Sequence, residues 1–274
     1  MSGWRLVLKA APALRVDLRG ITPAALRGLA AAQVERLPVG YGNARLELGE
    51  FFRLAPGTED GTLTFEGDLS RFDRVGCGLD GGRMLVEGGV GHHAGEGMRA
   101  GQLRVQGDAG LLAACEMAGG TFTVQGNVGD FAAGALPGSM DGMRGGTFVV
   151  RGSAGARFAD RMRRGSAIVH GDAGDFLASR LVAGTVAVGG RVGAHAGFGM
   201  RRGSIVLAAG AGAAEIPATF VPALGAADVF WQLLARDLAR HGGVFASLPG
   251  RTIQRHLGDL AADGRGELIV PGQP

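Results

Sequence analysis

Few side chains in this sequence are equipped for chemistry. Of six histidines, His92, His93 and His195 invite a metal reading, because imidazole nitrogen is both a zinc ligand and a general base. Cys77 and Cys115 are the only cysteines, each a potential nucleophile, ligand or disulfide partner. Arginine supplies the third group. Arg99, Arg144, Arg163 and Arg201 each follow a methionine, and Arg164 and Arg202 adjoin two of them. Guanidinium recognises carboxylate and phosphate through paired N–H donors, so a row of such groups is a candidate anion site. The sequence contains no Gly-x-Ser-x-Gly elbow, no P-loop and no Gly-x-Gly-x-x-Gly opening a helix, and its acids are scattered rather than gathered on one groove. No catalytic residue and no metal ligand is expected in this chain.

What must position these side chains is a repeat. A glycine followed by alternating apolar residues recurs as Gly61-Thr-Leu-Thr-Phe-Glu-Gly67, Gly82-Arg-Met-Leu-Val-Glu-Gly88, Gly101-Gln-Leu-Arg-Val-Gln-Gly107 and Gly120-Thr-Phe-Thr-Val-Gln-Gly126. Four more units start at Gly146, Gly165, Gly184 and Gly203, and the start-to-start spacings are 21, 19, 19, 26, 19, 19 and 19. The 26 is a 19 with seven residues inserted near the turn-rich string 136–142. Alternation within each unit predicts a strand, and a further apolar column of Met98, Met117, Met143, Met162, Leu181 and Met200 lies further along. Strands recurring at this period without hairpin turns predict parallel stacking of like on like. The fold expected is all-β: a right-handed parallel β-helix, a solenoid of 19-residue coils roughly 34 Å long. Corner glycines are followed by Asp68, Asp108, Asn127, Ser153 and Asp172, a column better explained by turn chemistry than by calcium.

The repeat then judges the candidates. His93 and His195 share a column but lie five coils apart, roughly 24 Å, too far to share one metal. Cys77 and Cys115 fall two coils apart, about 10 Å, beyond disulfide reach, and no histidine or aspartate is expected beside either; both read as small buried hydrophobes. The six arginines, in contrast, should line one edge. That edge is either solvated or compensated by anions, since stacked like charges repel.

Composition narrows the remaining classes. The 274 residues include 52 glycines with no collagen-like period, and 46% hydrophobic content excludes disorder as the main state. Twenty-eight basic against 25 acidic residues and 6% aromatics argue against nucleic acid. Two cysteines suit a reducing cytoplasm, and the charges within Met1 to Leu18 suit neither a signal peptide nor a membrane span. Residues 1–60 precede the repeats, with a strand expected over Leu6 to Leu18 and a short helix capped by Thr22 and opened by Pro23. Residues 61–210 are the repeats. Residues 211–274 carry a helix from Ala226 to Arg240, with Val229, Phe230, Leu233, Leu234 and Leu238 on one apolar face. Both flanks are expected to cover open sheet edges, the C-terminal one alternatively docking on partner subunits.

The string Gly-Thr-Phe-Thr-Val-Gln-Gly-Asn-Val-Gly at 120–129, with Gly-Met-Arg-x-Gly at 142–146 and 199–203, resembles the β-helical GXGXG domain at the carboxyl end of glutamate synthase. Over the whole chain, Leu37-Pro-Val before the repeats and Gly258-Asp-Leu-Ala-Ala-Asp-Gly-Arg-Gly-Glu267 after them resemble the C subunit of formylmethanofuran dehydrogenase, whose bacterial counterpart is the C subunit of the formyltransferase/hydrolase complex. The resemblance implies a non-catalytic scaffold in one-carbon metabolism, beside an amidohydrolase-like hydrolase subunit, a formyltransferase subunit and a further subunit. It implies that tetrahydromethanopterin and a methanofuran or methylofuran carrier with a glutamate-rich tail serve the complex, with no cofactor bound chemically by this chain. Either that tail or an acidic partner face would then meet Arg99, Arg144, Arg163, Arg164, Arg201 and Arg202. The Ala/Arg-rich, nearly lysine-free composition favours the bacterial hydrolase of methylotrophy over a molybdenum or tungsten dehydrogenase. A free-standing ligand-binding β-helix and a glutamate-synthase-type structural subunit are the alternatives of another class.

Overall fold

The computed structural model describes residues 3–210, 212, 215–224 and 227–272. The N-terminal flank comprises β1 (Trp4–Leu8), β2 (Val16–Asp17), α1 (Pro23–Leu26), α2 (Ala31–Glu35), β3 (Pro38–Tyr41), β4 (Ala44–Glu47), α3 (Leu48–Phe51) and β5 (Phe52–Pro56). The repeats supply β6 (Leu63–Glu66), β7 (Phe72–Asp73), β8 (Asp80–Val86), β9 (Ala100–Val105), β10 (Thr121–Val124), β11 (Thr147–Val150), β12 (Ser166–Val169), β13 (Thr185–Val188) and β14 (Ser204–Leu207). The chain continues with β15 (Val221–Pro222), α4 (Asp228–Ala239), β16 (Ile253–Gly258) and β17 (Gly266–Pro271). The protein is thus mainly β with few helices. Among the described residues no helix is long and apolar enough to cross a membrane.

The strands form a 13-stranded sheet in the order β15-β16-β17-β14-β13-β12-β11-β10-β9-β8-β6-β1-β5, parallel through its repeat portion, beside a four-stranded sheet β4-β3-β2-β7. Like residues pair with like: Phe122 faces Phe148, Ala167 faces Val186, and Val186 faces Ile205. A second run of parallel bridges links Leu69, Val90, Ala109, Val128, Ala154, Ala173 and Val192, one contact per unit. A third set of backbone bonds joins the methionine column, as where Arg163 N donates to Met143 O at 2.8 Å and Arg201 N to Leu181 O at 2.8 Å. The insertion leaves β10 and β11 in register, because its residues leave the ladder altogether.

The inward columns form one core. Phe65, Val86, Val105, Phe122, Val124, Phe148, Val150 and every member of the methionine column are fully buried. Phe122 and Phe148 approach at 5.0 Å between centroids, and Phe148 stacks on Phe158 at 6.0 Å. Glycine is required where units touch at the corners: Gly165 has φ +93°, and a Cβ there would lie 2.6 Å from the Gly146 carbonyl. The polar corner column is turn chemistry. Asp108 Oδ1 accepts from Asn127 N (2.6 Å), Asn127 Oδ1 from Ser153 N (2.9 Å), Ser153 Oγ from Asp172 N (3.0 Å) and Asp172 Oδ1 from Arg191 N (2.7 Å). Each side chain satisfies a backbone donor of the next unit, which is the role the turn reading assigned.

Both ends of the repeat sheet are paired by flank strands: β1 lies parallel to β6, and β17 lies parallel to β14. The C-terminal flank is therefore strand as well as helix. The strand expected over Leu6 to Leu18 breaks into β1 and β2 in different sheets, with Pro12, which cannot donate to a ladder, between them. The short helix α1 forms as expected, with Thr22 Oγ1 accepting from Ala25 N at 3.3 Å. Helix α4 forms too, although Ala226, its expected first residue, lies outside the described residues. Its buried face matches the expected one at Leu234 and Leu238 and differs at the other three positions. Trp231, Ala235 and Leu238 pack on Val149, Ile168, Ala187 and Val206, the outward residues of β11 to β14, while Val229, Phe230 and Leu233 are 77%, 45% and 64% exposed. The sheet offers an apolar strip there, and the indole of Trp231 fixes the choice of face by donating to Arg251 O at 2.7 Å.

Candidate anion-binding groove

Five of the six singled-out arginines converge. Arg144, Arg163, Arg164, Arg201 and Arg202, with Val182 and Ala183, line one groove of about 500 Å³. The stacking that buries the third column leaves the residue after it at the edge, so Arg144 and Arg163 lie one unit apart, and Arg163 and Arg201 two units apart with Val182 between them. Arg99 stands on the same edge outside the groove, because Ala118 occupies the corresponding position of the intervening unit. The insertion touches the groove only through Arg163, whose Nε donates to Asp141 Oδ1, and Met140 beside it is exposed. Glu116 Oε2 lies 3.9 Å from Arg144 Nη2. Among the described residues no carboxylate pairs with Arg164, Arg201 or Arg202, all exposed. Three guanidinium groups without a carboxylate partner, beside Val182 and Ala183, can hold a multivalent carboxylate or phosphate.

One further arginine joins this edge. Arg265 N donates to Arg201 O at 2.7 Å and its side chain is exposed, which extends the row onto the layer made by β17. No 19-residue spacing leads to it, yet Gly266-Glu-Leu-Ile-Val270 repeats the glycine-plus-alternation pattern, with Arg265 before it as Arg202 stands before Gly203.

The histidines and cysteines follow expectation except at Cys115, which has partners, and at Cys77, which is half-buried rather than buried. His92 is a corner histidine whose Nδ1 accepts from Leu111 N at 3.0 Å, and burial lowers its pKa. His195 stacks on Phe176 at 4.8 Å, five units from His93. Both cysteines are free, and burial pushes each thiol up. The expectation that Cys115 lacks a partner is corrected: His93 Nδ1 is 4.0 Å from its Sγ, and Glu96 completes a three-residue cluster. His93 and Cys115 sit at different offsets within their units, and the corner geometry brings them together across adjacent ones. A second cavity, of about 870 Å³, opens at the N-terminal flank between Trp4, Pro23, Leu26, Asp60 and Arg83. Hydrogen bonds from Thr58 and Thr62 hold the Asp60 carboxyl pKa there down to about 2.

These features define a parallel-β repeat protein whose chemically distinctive surface is a cationic groove. No protein-family model matches the chain. A chain in the crystal structure of the formyltransferase/hydrolase complex FhcABCD from Methylorubrum extorquens, solved in complex with methylofuran, superposes with a TM-score of 0.90 at 42% identity, covering 98% of this chain and 100% of that one. The C subunit of the formyltransferase/hydrolase complex Fhc of Methylorubrum extorquens is 46% identical over 77 residues, 28% of this chain and 29% of that protein. The C subunit of the molybdenum-containing formylmethanofuran dehydrogenase 1 of Methanothermobacter wolfeii is 34% identical over 94 residues, 34% of this chain and 24% of that protein. The aligned segments thus span less than a third of these two curated relatives. The chain belongs to the family of the formyltransferase/hydrolase complex C subunit, which is related to the C subunit of formylmethanofuran dehydrogenase.

Proposed function

We propose that this chain is the non-catalytic scaffold subunit of a cytoplasmic formyltransferase/hydrolase complex. In this reading the complex moves a formyl group from tetrahydromethanopterin to a methanofuran-type carrier and releases formate, and the reacting groups reside on a formyltransferase and an amidohydrolase-like subunit. The groove of Arg144, Arg163, Arg164, Arg201 and Arg202, with Arg99 beside it, receives the glutamate-rich tail of the carrier or an acidic partner face. The exposed Val229, Phe230 and Leu233 of α4 form a second partner face. Residues 61–210 wind as a right-handed parallel β-helix between flanks 1–60 and 211–274; the three bonded columns per unit and the strong preference for right-handed parallel crossovers support that winding.

The observation carrying this reading is the full-length likeness to a chain of a complex crystallised with methylofuran. Five arginines in one groove support the anionic ligand class. The shorter matches to molybdenum-containing dehydrogenase subunits favour a second reading, in which the same frame serves a molybdenum or tungsten enzyme. A low-salt pull-down of the tagged full chain from its own cells separates these outcomes. Formyltransferase and amidohydrolase-like subunits without molybdenum or tungsten support the hydrolase complex, and either metal in the recovered assembly supports the second reading. Recovery of a stable monomer alone overturns both.

A further inference from the structure

We propose that His93, Glu96 and Cys115 form a binding site for a thiophilic divalent cation of the zinc class, independent of the groove and of its proposed ligand. One ligand atom from each, His93 Nδ1, a Glu96 carboxylate oxygen and Cys115 Sγ, lies within 4.8 Å of the other two. Nδ1 is 2.9 Å from Glu96 Oε2 and 4.0 Å from Sγ. Ligands of one tetrahedral zinc, at metal distances of roughly 2.0–2.3 Å, sit roughly 3.3–3.8 Å apart, so small side-chain rotations bring all three onto one ion. The mixed N, O and S set selects a borderline-soft cation over magnesium or calcium, which take oxygen.

The backbone holds the ligands in place. His93 and Glu96 share one turn, closed by Glu96 N donating to His93 O at 3.1 Å, and Gly97 N donating to Cys115 O at 2.9 Å locks the next unit against it. Cys115 is fully buried and forms the floor, while the His93 and Glu96 side chains are 20% and 16% exposed, which leaves a path for the ion and room for a water ligand. Glu96 Oε2 is buried yet accepts no well-aligned hydrogen bond, despite the nearness of His93 Nδ1. The one guanidinium facing the carboxylate among the described residues, Arg74, has its Nε 3.6 Å from Oε2 and is itself held by Asp17 at 3.1 Å.

The test is a titration of the full-length, chelator-treated chain with Co2+, read by the thiolate-to-cobalt charge-transfer band and by displacement with Zn2+. One equivalent is expected to produce the band and to be displaced by one equivalent of zinc. Cys115→Ala is expected to abolish the band, and His93→Gln or Glu96→Gln to weaken zinc by at least the roughly 10–100-fold that outer-shell changes alone produce, with folding checked by circular dichroism. Cys77→Ser and His195→Gln, outside the cluster, are expected to change neither readout. A wild-type chain with no charge-transfer band, or a band that survives Cys115→Ala, overturns the site. Should Cys115→Ala fail to fold, Glu96→Gln decides: unchanged zinc affinity overturns it equally.

Discussion

Arg151 donates through Nη1 to His170 Nε2 at 2.7 Å, and the same Nη1 reaches the His241 carbonyl at 2.6 Å, so one guanidinium ties the outer face of the repeat sheet to the segment that follows α4. Arginine has no acceptor, which makes His170 Nε2 the acceptor and the ring neutral. Phe245 packs edge-on against that ring at 5.0 Å. Burial first, and then the Arg151 charge, hold the His170 pKa down to about 4 from an ordinary 6.5.

The native state therefore resists a proton that the unfolded chain accepts. The His170 contribution to stability is undiminished above pH 6.5, declines as pH falls from 6.5 to about 4, and changes no further below that. Thermal midpoints and Trp231 fluorescence should record loosening of the C-terminal segment across that window. His170→Gln should flatten part of the slope, leaving the shares of His241, His92 and His256, whose pKa values burial also lowers. A variant with the full wild-type slope would refute the assignment.

Replacing Arg163, Arg164, Arg201 and Arg202 together by Ala should leave the fold intact, because all four are exposed. Partner recovery or carrier retention should fall, and the residual binding should depend less on salt than in the wild type. Titrating salt in the pull-down measures both. Unchanged assembly and unchanged carrier retention would remove the groove from the proposed function.

Helix α4 offers two faces with opposite expectations. Trp231→Ala should destabilise by about 3–5 kcal/mol in urea unfolding, since Trp231 is buried on the outer sheet face. The double change Phe230→Glu and Leu233→Glu should shift stability by no more than about 0.5 kcal/mol per site but reduce recovery of partner subunits. Equal recovery would assign α4 to end-protection alone.

In the interior, Phe148→Ala should cost about 3–5 kcal/mol, because Phe148 bridges Phe122 and Phe158. Gly165→Ala should cost about 1–3 kcal/mol through its left-handed backbone and the nearby Gly146 carbonyl. Denaturant midpoints measure both, and a neutral Gly165→Ala would show that neighbouring units can separate locally.

The strand columns were legible because period-two alternation is a local property, and a 19-residue recurrence states which residues stack. The turn role of Asp108, Asn127 and Asp172 was legible for the same reason: each bonds the backbone one repeat ahead. The face of α4 was partly legible. The outward strand position changes from the mixed set Thr64, Leu85, Arg104 and Thr123 to the unbroken apolar run Val149, Ile168, Ala187 and Val206, the run on which the helix packs. Helical periodicity allowed more than one apolar stripe on α4, and only the contact with the sheet selected Trp231, Ala235 and Leu238.

By itself the sequence determined the repeat, its register and the clustering of arginines on one edge, because repetition converts position along the chain into position in space. Tertiary structure decided what repetition does not encode. Arg265 joins the arginine edge because β17, distant in sequence, pairs with β14 and continues the stack. Glu96 and Cys115 stand 19 residues apart, so the repeat alone stacks them, whereas His93, at a different offset and with φ +61°, reaches Cys115 Sγ only through the fold of its turn. Spacing places two of the three residues; the packed turn supplies the third.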